Sequence, residues 1–123
     1  MEKILGRFAP QIYALLRIVA GLLFACHGAQ KLFGVLGGEQ VTLMSQRGLA
    51  GVIEFFGGLM IAAGILTGFV AFIASGEMAV AYFQAHAPRA TFPIQNGGEP
   101  SVLFCFLFLY IAARGSGIWS VGR

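Results

Sequence analysis

Apolar residues along this chain fall into four long blocks separated by short glycine-rich or polar breaks. The blocks run over residues 9–33, 49–66, 69–87 and 100–113, and the last is the shortest. A helix crossing a bilayer needs about 20 mainly apolar residues, within a range of about 17–25. The pattern therefore predicts four membrane-crossing helices. Pro10 suits the first turn of helix one, and Gly34 with Gly37-Gly38 ends it. Thr67-Gly68 leaves almost no connection between helices two and three. Pro88 stops helix three, because proline lacks an amide donor and clashes with the preceding turn. The connections 34–48 and 88–99 are long enough to hold structure of their own. The predicted fold class is all-α, an integral membrane four-helix transmembrane bundle formed by a single domain over residues 1–123.

Composition leaves a soluble fold little room. The 123 residues are 58% hydrophobic and 11% charged, with mean hydropathy +0.82. Soluble domains carry about 25% charged residues, and a small domain buries only about 60% of its unfolded surface. The lipid bilayer is thus the first expected partner. The net charge of +3 is spread over chain ends and loops with no basic run, so no nucleic-acid partner is expected. Lys3, Arg7, Arg114 and Arg123 lie on the side of the termini, against Lys31, Arg47 and Arg89 on the other. The positive-inside rule places both termini in the cytoplasm. Cys26 and Cys105 sit in apolar blocks and read as buried, inert thiols. Arg17 interrupts the first apolar block, so that block reads as a retained span rather than a cleaved signal peptide.

Arg17, His27, Glu54 and Glu77 fall well inside the blocks, with Lys31, Glu99 and Arg114 at block ends. A charge at the bilayer centre costs about 2.5–3.5 kcal/mol on insertion scales, so such residues face the bundle interior and pair, or carry no charge. His27 and Lys31 are four apart and share a helix face. Gly51, Glu54, Gly58 and Ala62 share a face of helix two, and Ala74, Glu77, Ala81 and Ala85 a face of helix three. Small residues beside an acid suit close helix contact. By depth, His27, Lys31, Glu54, Asn96 and Glu99 converge at one end of the bundle, with Glu77 below them. Arg17 is the candidate buried counter-ion for Glu54 or Glu77. For each residue a structural role competes: register locking for Arg17, snorkelling for Lys31, capping for Glu99.

The order of motifs resembles the DoxX family of small bacterial membrane proteins. Helix one carries Leu16-Arg17, Gly21 and His27-Gly28-Ala29-Gln30-Lys31-Leu32-Phe33. Helix two carries Glu54-Phe55-Phe56-Gly57-Gly58-Leu59 and then Gly64-Ile65-Leu66-Thr67, and helix three Glu77-Met78. Asn96-Gly97-Gly98-Glu99 and Gly115-Ser116-Gly117-Ile118-Trp119-Ser120 complete the set, with Ser116 where the family often has proline. The resemblance implies a multi-pass protein of the bacterial inner membrane, linked by its family name to a thiosulfate:quinone oxidoreductase.

No haem-attachment, dinucleotide or metal-binding motif is present, so no metal and no cofactor is evident from the residues alone. The resemblance with the polar cluster makes a quinone the cofactor to consider. The leading reading is a component of a membrane redox system, quinone- or sulfur-linked. Its alternatives are a non-catalytic accessory subunit of a membrane complex and a small-solute or proton pathway. A homo-oligomer or a place in a membrane complex is expected.

Overall fold

The computed structural model describes residues 1–122, and Arg123, counted above among the terminal-side cations, lies outside them. Among the described residues the regular structure is all helical. A short α1 (Glu2–Leu5) and a 3-10 turn (Gly6–Phe8) lead directly into α2 (Ala9–Phe33). α3 covers Gln46–Ala63 and α4 Thr67–Ala81. α4 runs on through a π-helical turn, Tyr82–His86, and a 3-10 turn, Ala87–Arg89. α5 is a single turn, Pro93–Asn96, and α6 covers Glu99–Arg114.

Local chemistry accounts for these boundaries. Pro10 sits in the first turn of α2, and Gly34 closes the helix by donating its amide to Gln30 O. α3 starts three residues before the apolar block, because the Ser45 hydroxyl accepts the Gly48 amide at 3.1 Å. That bond satisfies one of the free amides of a helix start. α3 also ends earlier than the block, at Ala63, because Gly64 takes a left-handed conformation at φ +78°. Apolarity alone does not register such a stop, since Ile65 and Leu66 carry on the hydrophobic run through the turn.

The continuous helix Glu2–Phe33 (32 residues) and the helix Thr67–His86 (20 residues) are long and apolar enough to cross a membrane. α3 and α6 have 18 and 16 residues.

The long helices associate as two tight pairs, α2 with α3 and α4 with α6, more loosely joined to each other. Glycine makes the first pair possible. A Cβ on Gly21 would stand 2.6 Å from Gly58 O and Ala62 N, and one on Gly28 would run into the backbone of Phe55. The backbones touch there, as interfaces of small residues in lipid require. In the second pair the Ser75 hydroxyl of α4 donates to Cys105 O of α6 at 2.7 Å. Between the pairs lies a core of Ala20, Phe24, Ile61, Ala71, Ala74, Met78, Phe108 and Ile111. The Phe24 and Phe108 rings meet at 4.7 Å and seal the middle of the molecule.

Candidate functional site

The two ends of this core are built differently. At the end carrying the termini, Arg17 is fully buried. Its guanidinium donates to Ile61 O (3.0 Å) and Ala62 O (3.4 Å) at the C-terminal turn of α3. It also donates to Ser116 O, Ile118 O (2.9 Å) and Trp119 O (2.6 Å) in the segment after α6. The last carbonyls of a helix lack partners inside the helix, and a cation there also complements the negative end of its dipole. The terminal segment is fixed further by Ser116 Oγ donating to Thr67 Oγ1 (2.8 Å), Tyr13 OH to Gly115 O (2.7 Å) and Val121 N to Ala63 O (2.8 Å). The expectation that Arg17 would neutralise Glu54 or Glu77 is therefore corrected. Carbonyl oxygens occupy its donors, and the acids lie toward the other end. The sequence carried no sign that the last residues fold back over Arg17.

At the opposite end the two helix pairs separate around a cavity of about 860 Å³. Phe24, Ile53, Ile73, Met78 and Phe104 form apolar walls, and His27, Lys31, Glu54 and Glu77 line the polar side. Lys31 of α2 reaches across to Glu54 of α3, with its ammonium 2.6 and 2.8 Å from the two carboxylate oxygens. Among the described residues this is the only ion pair. Glu54 is 1% exposed and Lys31 24%. A carboxylate shut in this deeply is stable only because the ammonium and its hydrogen bonds replace water. Gly51 permits the crossing, since a Cβ there would stand 3.0 Å from the Lys31 side chain.

Glu77 of α4 faces this pair. Both of its carboxyl oxygens are shielded from solvent and neither has a hydrogen-bond partner among the described residues. Buried polar atoms almost always find a partner, so such an orphan calls for an explanation. His27 is exposed toward the cavity end, with its ring edge-on to Phe104 at 6.0 Å.

Two candidates from the sequence stand outside this group. Asn96 is buried, but its amide holds the loop before α6 together. It donates to Tyr82 OH (3.0 Å) and Ala90 O (3.1 Å) and accepts the Gly98 amide (2.8 Å). Glu99 is exposed in the first turn of α6, where an acidic residue complements the helix dipole. Neither lines the cavity.

The cavity also has lining residues that motif spacing missed: Gln46, Arg47, Gln84, His86 and Arg89. Gln46 Nε2 donates to Gln84 Oε1 at 2.5 Å, bridging α3 to the π-helical turn. His86 Nδ1 is 3.2 Å from Asn96 O. The π turn makes these residues hard to foresee. It inserts an extra residue into the helical repeat and rotates the residues beyond it relative to a 3.6-residue face; such turns are frequent at functional sites. No group of three or more His, Cys, Asp or Glu side chains among the described residues is arranged to hold a metal ion.

Comparison with known proteins identifies the family. The sequence model of the DoxX family matches residues 12–87, which span α2, α3, α4 and the π turn. That range contains every polar residue of the cavity except Arg89 and Ser101. An uncharacterized protein of Haemophilus influenzae is 38% identical over 120 residues, covering 92% of this chain and 90% of that protein. No solved structure matches.

Proposed function

This chain belongs to the DoxX family of membrane proteins, and from that premise we propose that it serves a membrane redox system by holding a quinone-class ligand in the cavity between its helix pairs. The observation that carries this reading is the cavity itself: apolar walls around the Lys31–Glu54 pair, with His27 and the orphaned Glu77 beside it. Ligand sites are commonly concave and mostly apolar, with a few convergent polar groups.

The residues suit such a ligand. A quinone has a flat apolar ring with carbonyl oxygens that accept hydrogen bonds. Lys31 has three ammonium protons, of which Glu54 takes two, and His27 offers a ring nitrogen. Phe24, Phe104, Ile73 and Met78 would enclose the ring and the start of its chain. A bound quinone supplies two-electron, two-proton chemistry. The chain's own residues bind and orient the headgroup and manage protons, and electrons come from a partner protein.

In this reading α2, α3, α4 and α6 all cross the inner membrane of a bacterium, with both termini in the cytoplasm and the cavity toward the opposite face. At 1.5 Å per residue, α3 and α6 extend about 27 and 24 Å. Slight thinning of the bilayer or snorkelling of flanking residues covers the small shortfall.

Titration of the purified protein with a short-chain benzoquinone tests the proposal. Glu54→Gln and His27→Ala are each expected to weaken binding about tenfold, or about 1.4 kcal/mol. Absence of binding, or unchanged affinity in both variants, refutes it.

One observation favours an accessory-subunit reading alongside. Met44 is 92% exposed and Ile94 80%, both outside the long helices and at the cavity end. Apolar residues placed there suit a partner that supplies the electrons. Stoichiometric co-purification of a redox subunit, lost in a Met44→Lys, Ile94→Lys double variant, is the expected result.

A further inference from the structure

The Lys31–Glu54–Glu77 group has one ammonium for two carboxyls. Lys31 is committed to Glu54, bonding both of its oxygens. Glu77 faces the pair from α4 with both oxygens shielded and no donor in reach. An ionised carboxylate is an acceptor only, so Glu77 as a carboxylate gains nothing from Glu54 except repulsion. Its oxygens are shielded from solvent, in a cavity whose lining also includes the apolar Phe24, Ile73 and Met78.

We infer that Glu77 carries a proton and donates it in a hydrogen bond to Glu54, making this trio the group that exchanges a proton with whatever occupies the cavity. One proton answers three demands together. It removes the surplus negative charge, it turns Glu77 from acceptor into donor, and it uses acceptor capacity that Glu54 keeps beyond its two bonds from Lys31, since a carboxylate has about four lone-pair sites. Glu77 lines the cavity, so in this proposal a change of side-chain rotamer would carry the protonated oxygen to the open space. The remaining charged or titratable groups around that space are His27 on α2, Arg47 on α3, His86 in the π turn and Arg89 beyond it. The arginines carry fixed positive charge, and the histidines give the trio neighbours through which a proton can return from the open end.

Infrared spectroscopy of the protein in lipid vesicles at neutral pH, with no ligand added, tests this. The wild type should show the C=O stretch of a protonated carboxyl that shifts in heavy water. Glu77→Gln should remove it. Glu54→Gln should remove it as well, although Glu77 is still present, because Lys31 then pairs with Glu77 and ionises it. Lys31→Met should roughly double it, since both acids lose their cation, and this variant serves as the readout where Glu77→Gln does not fold. Exposed Glu99→Gln should leave it unchanged. A wild type with no protonated carboxyl, a band surviving Glu77→Gln, or a band indifferent to Lys31→Met overturns the inference. Because no ligand is involved, that failure would leave the quinone reading standing, and a failed quinone titration would leave this one standing.

Discussion

Both ends of the helix core hold a buried charge, and they treat it in opposite ways. Arg17 is fully buried and spends its donors on five backbone carbonyls. Lys31 and Glu54 neutralise each other beside an open cavity, and the third member, Glu77, has no partner among the described residues. The difference separates two uses of costly buried polarity. A charge whose every bond goes to the protein's own backbone fastens helices. A charge group with a second carboxyl set beside a cavity is, in the reading proposed above, open to exchange with something that is not part of the chain.

The largest expected effect comes from the closed end. Arg17→Met leaves the last carbonyls of α3 and the segment after α6 without donors and should cost about 3 kcal/mol or more. Denaturant unfolding in detergent reads the loss, and the Ser116–Trp119 segment should become protease-sensitive. Survival of the variant at wild-type stability would erase the contrast between the ends.

The next effect probes the frame both ends share. Gly28→Leu forces a side chain into the Phe55 backbone and should cost about 1–3 kcal/mol. It sits one turn from Lys31, so the Lys31–Glu54 pair should separate and quinone affinity should fall with stability. Stability lost with affinity intact would show that the cavity does not depend on the α2–α3 contact.

The smallest effect sharpens the boundary of the site. Glu99→Gln changes an exposed first-turn residue outside the cavity, and stability should stay within about 0.5 kcal/mol of wild type. Quinone affinity should not change. A marked loss of affinity would extend the site to the α6 terminus.

Much of this division was written in local sequence signals. The small-residue face Gly51/Gly58 announced a close helix contact, though not that α2 would make it, and helical spacing with depth set His27, Lys31, Glu54 and Glu77 toward one end. What stayed hidden depended on backbone that periodicity does not describe. Arg17 found carbonyls because the chain after Arg114 folds back, and no residue spacing within α2 reports that. His86 and Gln84 reached the cavity through a π turn that breaks the very repeat used to assign faces. Asn96 was expected in the polar cluster, yet its bonds to Tyr82, Ala90 and Gly98 use it up in shaping a loop.

The closed end has a smaller cavity of its own, about 590 Å³, lined by Pro10, Tyr13, Arg114 and the segment 115–118. It makes the division directly testable. Photolabelling the protein in vesicles with a photoreactive short-chain quinone, and then mapping the labelled peptides, reports which end holds the ligand. The expected result is labelling in the peptides containing His27, Glu77 and Phe104, suppressed by excess unlabelled quinone and reduced in Glu54→Gln. Competable labelling at Tyr13 and the segment 115–118, with none at the open end, would contradict it.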